Sequence, residues 1–384
     1  MEAYLDNSST TKVLPLVKDI MVKCMEEDWG NPSAMHTKGV DAEGYVRAAR
    51  EKIAATLKCS FSEIIFTSGG TESNNMAIIG TALAKRRQGK HIITTKIEHP
   101  SVGNVMKFLE GEGFEVSYLS VDKEGRIDLE ELKSLIREDT ILVSVMQVNN
   151  EVGAVEPIEE IGKIVKEKNP DCTFHVDAIQ SYGKFIIRPK KAKIDLLSVS
   201  AHKIGGPKGV GFIYIKEKTK LNPIIFGGGQ QDNMRSGTEN VPGIAGLGVA
   251  AEEAYKDFDK KSEAFYALKE NLEDKLSALE GVIINSPKGK EGAPHIVSAS
   301  FKDIRSEVML HALEEMGVFV SAGSACSSHK RAPSATLSSI GVDKSLLEST
   351  VRFSLNPYNT KEEIDYAVDK VSEVLEKYRK FTRK

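Results

Sequence analysis

The sequence predicts an α/β architecture: a doubly wound, mostly parallel sheet with a smaller α+β domain attached. Three observations carry that expectation. Short apolar, β-branched runs recur between amphipathic segments; the runs show no polar alternation; and after about Gly248 the pattern changes to long amphipathic helices. Strands buried on both faces read as continuous apolar runs, and their alternation with helices calls for parallel pairing through crossovers.

In chain order, the predicted strands are 64–67, 92–95, 141–145, 174–176, 196–199 and 212–215. Between them lie helical segments, such as the one in which Val46, Ala49, Ile53 and Leu57 share one face while Arg47, Arg50, Glu51 and Lys52 take the other. Farther on, Phe265, Leu268, Leu272, Leu276 and Leu279 are spaced by three and four. The last helix opens on a capping box, Thr360 to Glu363, and continues on Ile364, Val368, Val371 and Leu375; the basic end, 377–384, suits a helix C-terminus. We therefore expect a large domain over 14–250 and a small one formed by 1–13 with 251–384.

Composition excludes several classes. The 384 residues are 40% hydrophobic and 28% charged, which is ordinary globular usage and disfavours disordered, collagen-like and coiled-coil chains. Lys and Arg number 52 against 55 Asp and Glu, a net charge of −3 that gives no global reason to bind nucleic acid or an anionic membrane. The first residues lack a basic stretch followed by an apolar one, and no apolar run is long enough to span a bilayer, so a cytoplasmic protein is expected. Four cysteines, Cys24, Cys59, Cys172 and Cys326, lie far apart without a C-x-x-C, which argues against a disulfide framework and a zinc site.

Candidate chemistry gathers at predicted strand ends. Thr67-Ser68-Gly69-Gly70-Thr71 runs from a strand into a helix. Glycines let backbone N–H groups approach an anion, the helix start adds its positive end, and Thr71 can donate a hydrogen bond. An ordinary capped turn also accounts for this segment taken alone. It lacks the P-loop lysine and the dinucleotide-fingerprint spacing, which disfavours ATP and NAD. Asp177 and Gln180 follow one strand, and Ser200, His202 and Lys203 end another. At the carboxyl edge of a doubly wound sheet, Asp177 and Lys203 would converge with the glycine turn. A lysine for a Schiff base, an anion for a pyridinium nitrogen and donors for a phosphate are what pyridoxal 5′-phosphate requires; a plain Asp177–Lys203 salt bridge is the other reading. His99, before Pro100, stands at a third such loop, where it could stack on a planar cofactor, and Asn150 stands at a fourth. Cys326 lies in a small, polar, non-periodic stretch that reads as a mobile loop, where Lys330 and Arg331 would favour its thiolate. The other three cysteines border apolar segments and read as buried.

Taken together, these segments resemble the cysteine desulfurases, the NifS/IscS-like class-V branch of the fold-type I pyridoxal phosphate enzymes. The likeness runs from Tyr4-Leu5-Asp6-Asn7 through Gly30-Asn31-Pro32-Ser33, the 67–75 turn, Glu98-His99, Asn149-Asn150-Glu151-Val152-Gly153, His175-Val176-Asp177, His202-Lys203, Arg235-Ser236-Gly237-Thr238 and the 321–327 stretch to Val351-Arg352-Phe353-Ser354. It implies a homodimer in which Lys203 is the Schiff-base lysine, Asp177 pairs with the pyridinium nitrogen and His99 stacks on the ring. It further implies that Gln180 and Asn150 serve the ring-hydroxyl side, and that Gly70, Thr71, Ser200 and His202 bind the phosphate, joined by Thr238 of the other protomer. Arg352, with Asn150, would hold the substrate carboxylate, and Cys326 would attack the substrate sulfur. The implied reaction converts L-cysteine to L-alanine and leaves a persulfide on Cys326. Its sulfur would go to an iron–sulfur scaffold or a tRNA- or cofactor-thiolation protein, with no direct nucleic-acid or membrane partner and no metal. Ser9 and Ile179 depart from the family's common residues without touching these roles. Aminotransfer or selenocysteine lysis on the same fold, a silent scaffold and a nucleotide-binding module are the alternatives.

Overall fold

The computed structural model describes residues 1–322 and 334–382, with side chains as far as residue 379. The chain opens with a short strand, β1 (Ala3–Tyr4), and two helices, α1 (Pro15–Glu26) and α2 (Thr37–Leu57). Seven strands then follow: β2 (Ile64–Thr67), β3 (His91–Thr95), β4 (Glu115–Leu119), β5 (Thr140–Met146), β6 (Thr173–Asp177), β7 (Leu196–Ser200) and β8 (Gly211–Ile215). Between them run α3 (Gly70–Lys85), α4 (Pro100–Gly111), α5 (Leu129–Leu135) and α6 (Ile158–Lys168).

These strands form one sheet in the order β2-β8-β7-β6-β5-β3-β4. Pairing is parallel from β4 through β3, β5 and β6 to β7, while β8 runs antiparallel between β7 and β2. Every residue of β2, β3, β5, β6 and β7 is buried, as strands covered on both faces must be. The edge strand β4 escapes the sequence reading because it has no continuous apolar run: Glu115 is exposed and the next three residues are half-buried.

One sheet face packs on α1, α2 and α7 (Val241–Tyr255), which share a core with Phe66, Phe174, Val199 and Phe212. A Cβ on Gly248 of α7 would stand 2.6 Å from Ala49 Cα, so the close α2–α7 crossing depends on glycine there. On the other face, Ile78 and Ala82 of α3 join Val102, Met106 and Leu109 of α4 against Ile92 and Leu142.

Beyond α7, a long helix α8 (Phe258–Ser277) leads to β9 (Val282–Ile284), β10 (Ile296–Phe301), α9 (Ser306–Glu315), β11 (Val318–Phe319), β12 (Ser321–Ala322), α10 (Ala335–Ser339), β13 (Thr350–Ser354) and α11 (Lys361–Thr382). A four-stranded antiparallel sheet, β12-β13-β10-β9, shares a second core with Phe265, Leu272 and Leu276 of α8 and with Ile364, Val371 and Val374 of α11. The N-terminal segment joins this unit: β1 pairs in parallel with β11, and Asp6 bridges to Ser354. The Thr360–Glu363 capping box forms in both directions, at 3.0 and 3.2 Å. α7 continues through residue 250 to Tyr255, so the helix spans the boundary set from the sequence. Among the described residues no helix is long and apolar enough to cross a membrane, and no cluster of His, Cys, Asp and Glu could hold a metal ion.

Candidate active site

The carboxyl ends of β6 and β7 and the starts of α3 and α4 meet in one crevice, built by backbone rules that the sequence already carries. Asp177 is the last residue of β6 and is buried. Its Oδ1 accepts the Ile179 backbone N–H at 2.9 Å, and its Oδ2 accepts Asn74 Nδ2 at 2.8 Å. Burial raises the Asp177 carboxyl above the ordinary range, opposed by the Ile179 N–H, His99, Asn74 and Lys203. A carboxyl so placed calls for a cationic donor to stay ionised.

Lys203 closes the short turn Ala201–Lys203 after β7. Its Nζ donates to the backbone oxygens of Ser8 and Ser9 at 2.5 and 2.6 Å, which draws the N-terminal segment over the crevice. Thr11 reinforces this closure, donating through both its backbone N–H and its Oγ1 to His202 O, at 2.8 and 2.9 Å. The Nδ1 of His202 meets Thr10 Oγ1 at 3.2 Å, and burial with neighbouring lysines lowers the His202 ring to about 4, so it is neutral. Gln180 also turns to the N-terminal segment: its Nε2 donates to Ser8 O at 3.1 Å, and its Oε1 meets His295 Nε2 at 3.2 Å.

His99 caps α4, with Pro100 at the first helical position. Its Nδ1 accepts the Ser101 backbone N–H at 3.1 Å and meets Ser101 Oγ at 2.8 Å; that acceptor role puts the ring proton on Nε2. Burial lowers the His99 pKa, against Asp177, which raises it. Ser101 Oγ in turn accepts Asn74 Nδ2 at 2.9 Å. Asp177, Asn74, Ser101 and His99 thus form one hydrogen-bonded chain. Neither Asn74 nor Ser101 was singled out from the sequence; the available signal is that Asn74 follows Gly70 by one helical turn on α3.

Gly69 has φ of +150°, a conformation that favours glycine, and Gly70 opens α3. A Cβ on Gly70 would lie 2.2 Å from Ile179 Cδ1, and one on Gly69 would lie 3.7 Å from Ser200 Oγ. The helix start therefore meets the β6 and β7 ends through bare backbone, and any side chain at residue 70 would collide with Ile179. Thr71 is exposed and shares a cleft with His99 and Ser101. Thr238 is exposed and lines neither this cleft nor the next; it follows Arg235, whose Nε pairs with Glu72 of α3 at 2.8 Å.

A second cleft joins His99 and Asn150 to Ser298, Ser321 and Arg352 of the small sheet. Antiparallel register sets Ser298 and Ser321 on either side of Arg352. Arg352 is buried; its Nη1 donates to Asn150 O at 2.7 Å, its Nη2 to Asp6 Oδ1 at 3.0 Å and Ser9 Oγ at 3.1 Å, and its Nε has no partner. Asn150 thus enters the site through its backbone oxygen. Cys326 lies outside the described residues. The chain on either side of that segment stands at this cleft: Ser321 and Ala322 line it, and Ser334 Oγ donates to Glu151 Oε2 at 2.5 Å. Burial pushes the thiols of Cys24, Cys59 and Cys172 up to about 11, 12 and 12, although Cys59 is only half-buried. At neutral pH these three are thiols of low nucleophilicity.

Glu98 lies beneath the crevice, its Oε1 accepting Thr95 Oγ1 at 2.8 Å and Met146 N–H at 2.9 Å. Burial, with Asp177 and Glu156 nearby, pushes its pKa up to about 8. The folded protein then holds a proton that the unfolded chain releases at the ordinary glutamate value, so stability is highest below that value and falls as pH rises toward 8. Glu98→Gln is expected to flatten this fall, raising Tm at pH 8 relative to pH 5 by on the order of a few degrees. Parallel Tm–pH profiles by circular dichroism would show that Glu98 carries no such proton.

An open α/β sheet with a lysine, a buried aspartate and a glycine cradle at its carboxyl edge defines an enzyme of the pyridoxal phosphate type. The chain belongs to the Aminotransferase class-V family, which matches residues 3–367. It is 45% identical over 379 residues to "Cysteine desulfurase IscS" of Dictyoglomus turgidum, covering 98% of this chain and 95% of that one. Among solved structures, a "NIFS-LIKE PROTEIN" superposes with a TM-score of 0.93 at 40% identity, covering 98% of this chain and all of that one. "SspA in complex with cysteine" does so at 0.81 and 35% identity, covering 93% of this chain and all of that one. Proteins of this group depend on pyridoxal 5′-phosphate. The residues fit that cofactor: a protonated ring nitrogen is the cationic donor that the Asp177 carboxyl calls for, and the backbone at Gly69, at the start of α3, is open beside Ser200.

Proposed function

We propose that the protein is a cysteine desulfurase, taking L-cysteine to L-alanine and leaving the sulfur on Cys326. The observation that carries this reading is the crevice in which Asp177, Lys203 and His99 meet, with Arg352 across from His99. Bound pyridoxal phosphate supplies an aldehyde for amine capture and a protonated ring that withdraws electrons from the substrate Cα. Lys203 holds the aldehyde and moves the Cα proton. Asp177 keeps the proton on the ring nitrogen, and Asn74 fixes the carboxyl orientation. His99 covers the ring, its orientation fixed by Ser101. Gly70, Thr71, Ser200 and His202 hold the phosphate with Thr238 of a second protomer, while Gln180 and Asn150 serve the ring-hydroxyl side. Arg352 receives the substrate carboxylate through its guanidinium fork.

The Cys326 thiolate attacks the substrate sulfur: the C–S bond breaks, an S–S bond forms, and protons return to carbon and sulfur to give alanine and a persulfide. The cysteine named with SspA supports the choice of substrate. A homodimer, a cytoplasmic location and an iron–sulfur or thiolation acceptor complete the proposal. Exposed Trp29, Val40 and Phe226 supply apolar surface for the dimer, and a reducing compartment keeps Cys326 a thiol between turnovers. We likewise propose the division into 14–250 and 1–13 with 251–384, its boundary carried to the end of α7.

Incubation of the purified, cofactor-loaded protein with L-cysteine tests the reading. Equal amounts of alanine and reductant-releasable sulfur are expected. Pyruvate and ammonia in place of alanine would assign the crevice to a lyase.

A further inference from the structure

A cavity separates the large sheet's α7 side from α8 and the turn after β13, and it shares only Lys203 with the site residues assigned above. Its walls are apolar where Leu14, Phe258, Phe265 and Leu355 meet. Two polar groups in those walls have no part in the desulfurase reading. Lys184 Nζ donates to Lys203 O at 2.8 Å, and its other N–H groups have no carboxylate among the ion pairs of the described residues. His295 is 1% exposed; its Nε2 meets Gln180 Oε1, and its Nδ1 is buried without a partner. The basic groups Lys184, Lys203, Lys269 and Arg352 all bear on His295 and, with burial, hold it neutral. Burial and Lys203 likewise push Lys184 down to about 7. At the rim, Lys261 is already paired with Glu253 at 3.4 Å. Lys184 is thus a buried amine that an anion beside it would hold protonated, next to the apolar walls of Phe258, Phe265 and Leu355.

We propose that this cavity is a binding site for a small apolar monocarboxylate, its carboxylate on Lys184 Nζ and its hydrocarbon body against Phe258, Phe265 and Leu355. Several features select that class. Lys203 is taken by the cofactor in the desulfurase reading and Lys261 by Glu253, which leaves Lys184 among the cavity's lysines to match one negative charge. Apolar walls with one placed charge are the usual make-up of a small-molecule pocket. Because Lys184 also holds the Lys203 carbonyl, an occupant would touch the backbone that carries the crevice lysine.

Isothermal titration of the purified holoenzyme with sodium hexanoate tests this, with hexanamide as the uncharged control. Hexanoate is expected to bind one per chain with Kd on the order of 1 mM, and hexanamide at least tenfold more weakly. Lys184→Met should weaken hexanoate at least tenfold. Ala254→Phe, which fills the cavity without touching a charge, should do the same, and it serves if the Lys184 variant does not fold. Arg352→Ala should leave the affinity within about twofold, which separates this cavity from the crevice. No hexanoate binding to folded wild type, equal binding of hexanamide, or binding lost only in the Arg352 variant would overturn the assignment. The readout needs no turnover, so it stands apart from the test of the desulfurase reading.

Discussion

Replacing Cys326 by alanine is expected to reduce alanine formation from L-cysteine to background, a loss of at least about a thousandfold. Persulfide formation needs a thiolate, and the thiols of Cys24, Cys59 and Cys172 are held at about 11 to 12 by burial. Their thiolate fractions near neutral pH are correspondingly small. Residue 326 alone follows a segment whose near end, Ser321 and Ala322, lines the cleft with His99 and Arg352. The variant should still bind cofactor and still change its absorbance on adding L-cysteine, since those steps use Lys203 and Asp177. Liquid-chromatographic assay of alanine reads the result, and turnover within tenfold of wild type would remove Cys326 from the reaction.

Asp177→Asn is expected to preserve the fold and cost about 3 kcal/mol of barrier, on the order of a hundredfold or more in rate. The amide keeps the size of the side chain but cannot hold a proton on the ring nitrogen. Asn74, which now donates to Asp177 Oδ2 at 2.8 Å, can rotate to face an amide, so the hydrogen-bonded chain to His99 need not break. Cofactor should bind, because the cradle at Gly70 and Ser200 is untouched. A kcat close to wild type, with the spectrum of bound cofactor unchanged, would show that Asp177 is not the ring partner.

Much of this arrangement was legible in the sequence because strand ends and helix starts are local. Continuous apolar runs marked β2, β3, β5, β6, β7 and β8, and those boundaries set Asp177 and Lys203 at one edge of a parallel sheet. The strand β4 was missed because an edge strand with half-exposed residues has no such run. Partners that act through backbone atoms left no trace either. Ser8 O and Ser9 O receive Lys203 across 195 and 194 residues of sequence, and Asn150 O receives Arg352 across 202. Only the fold brings such atoms together, since a carbonyl has no side-chain signature. Asn74 and Ser101 were hidden differently: Asn and Ser near a helix start read as caps, whereas here they join a buried carboxylate to a histidine. Arg352, expected from the resemblance to hold the substrate carboxylate, lines the cleft, and its present partners include Asp6, a pairing that links the N-terminal segment to the small sheet.

The measurement that bears most directly on the central claim is a single turnover of the cofactor-loaded protein with a substoichiometric amount of L-cysteine, followed by acid quench, alkylation and peptide mass analysis. One alanine per cysteine consumed is expected, with one additional sulfur on the peptide containing Cys326, lost on treatment with a reducing thiol, and the peptides of Cys24, Cys59 and Cys172 unchanged. Alanine formed with the extra sulfur on one of those three cysteines, or sulfur released with no protein-bound intermediate, would contradict it.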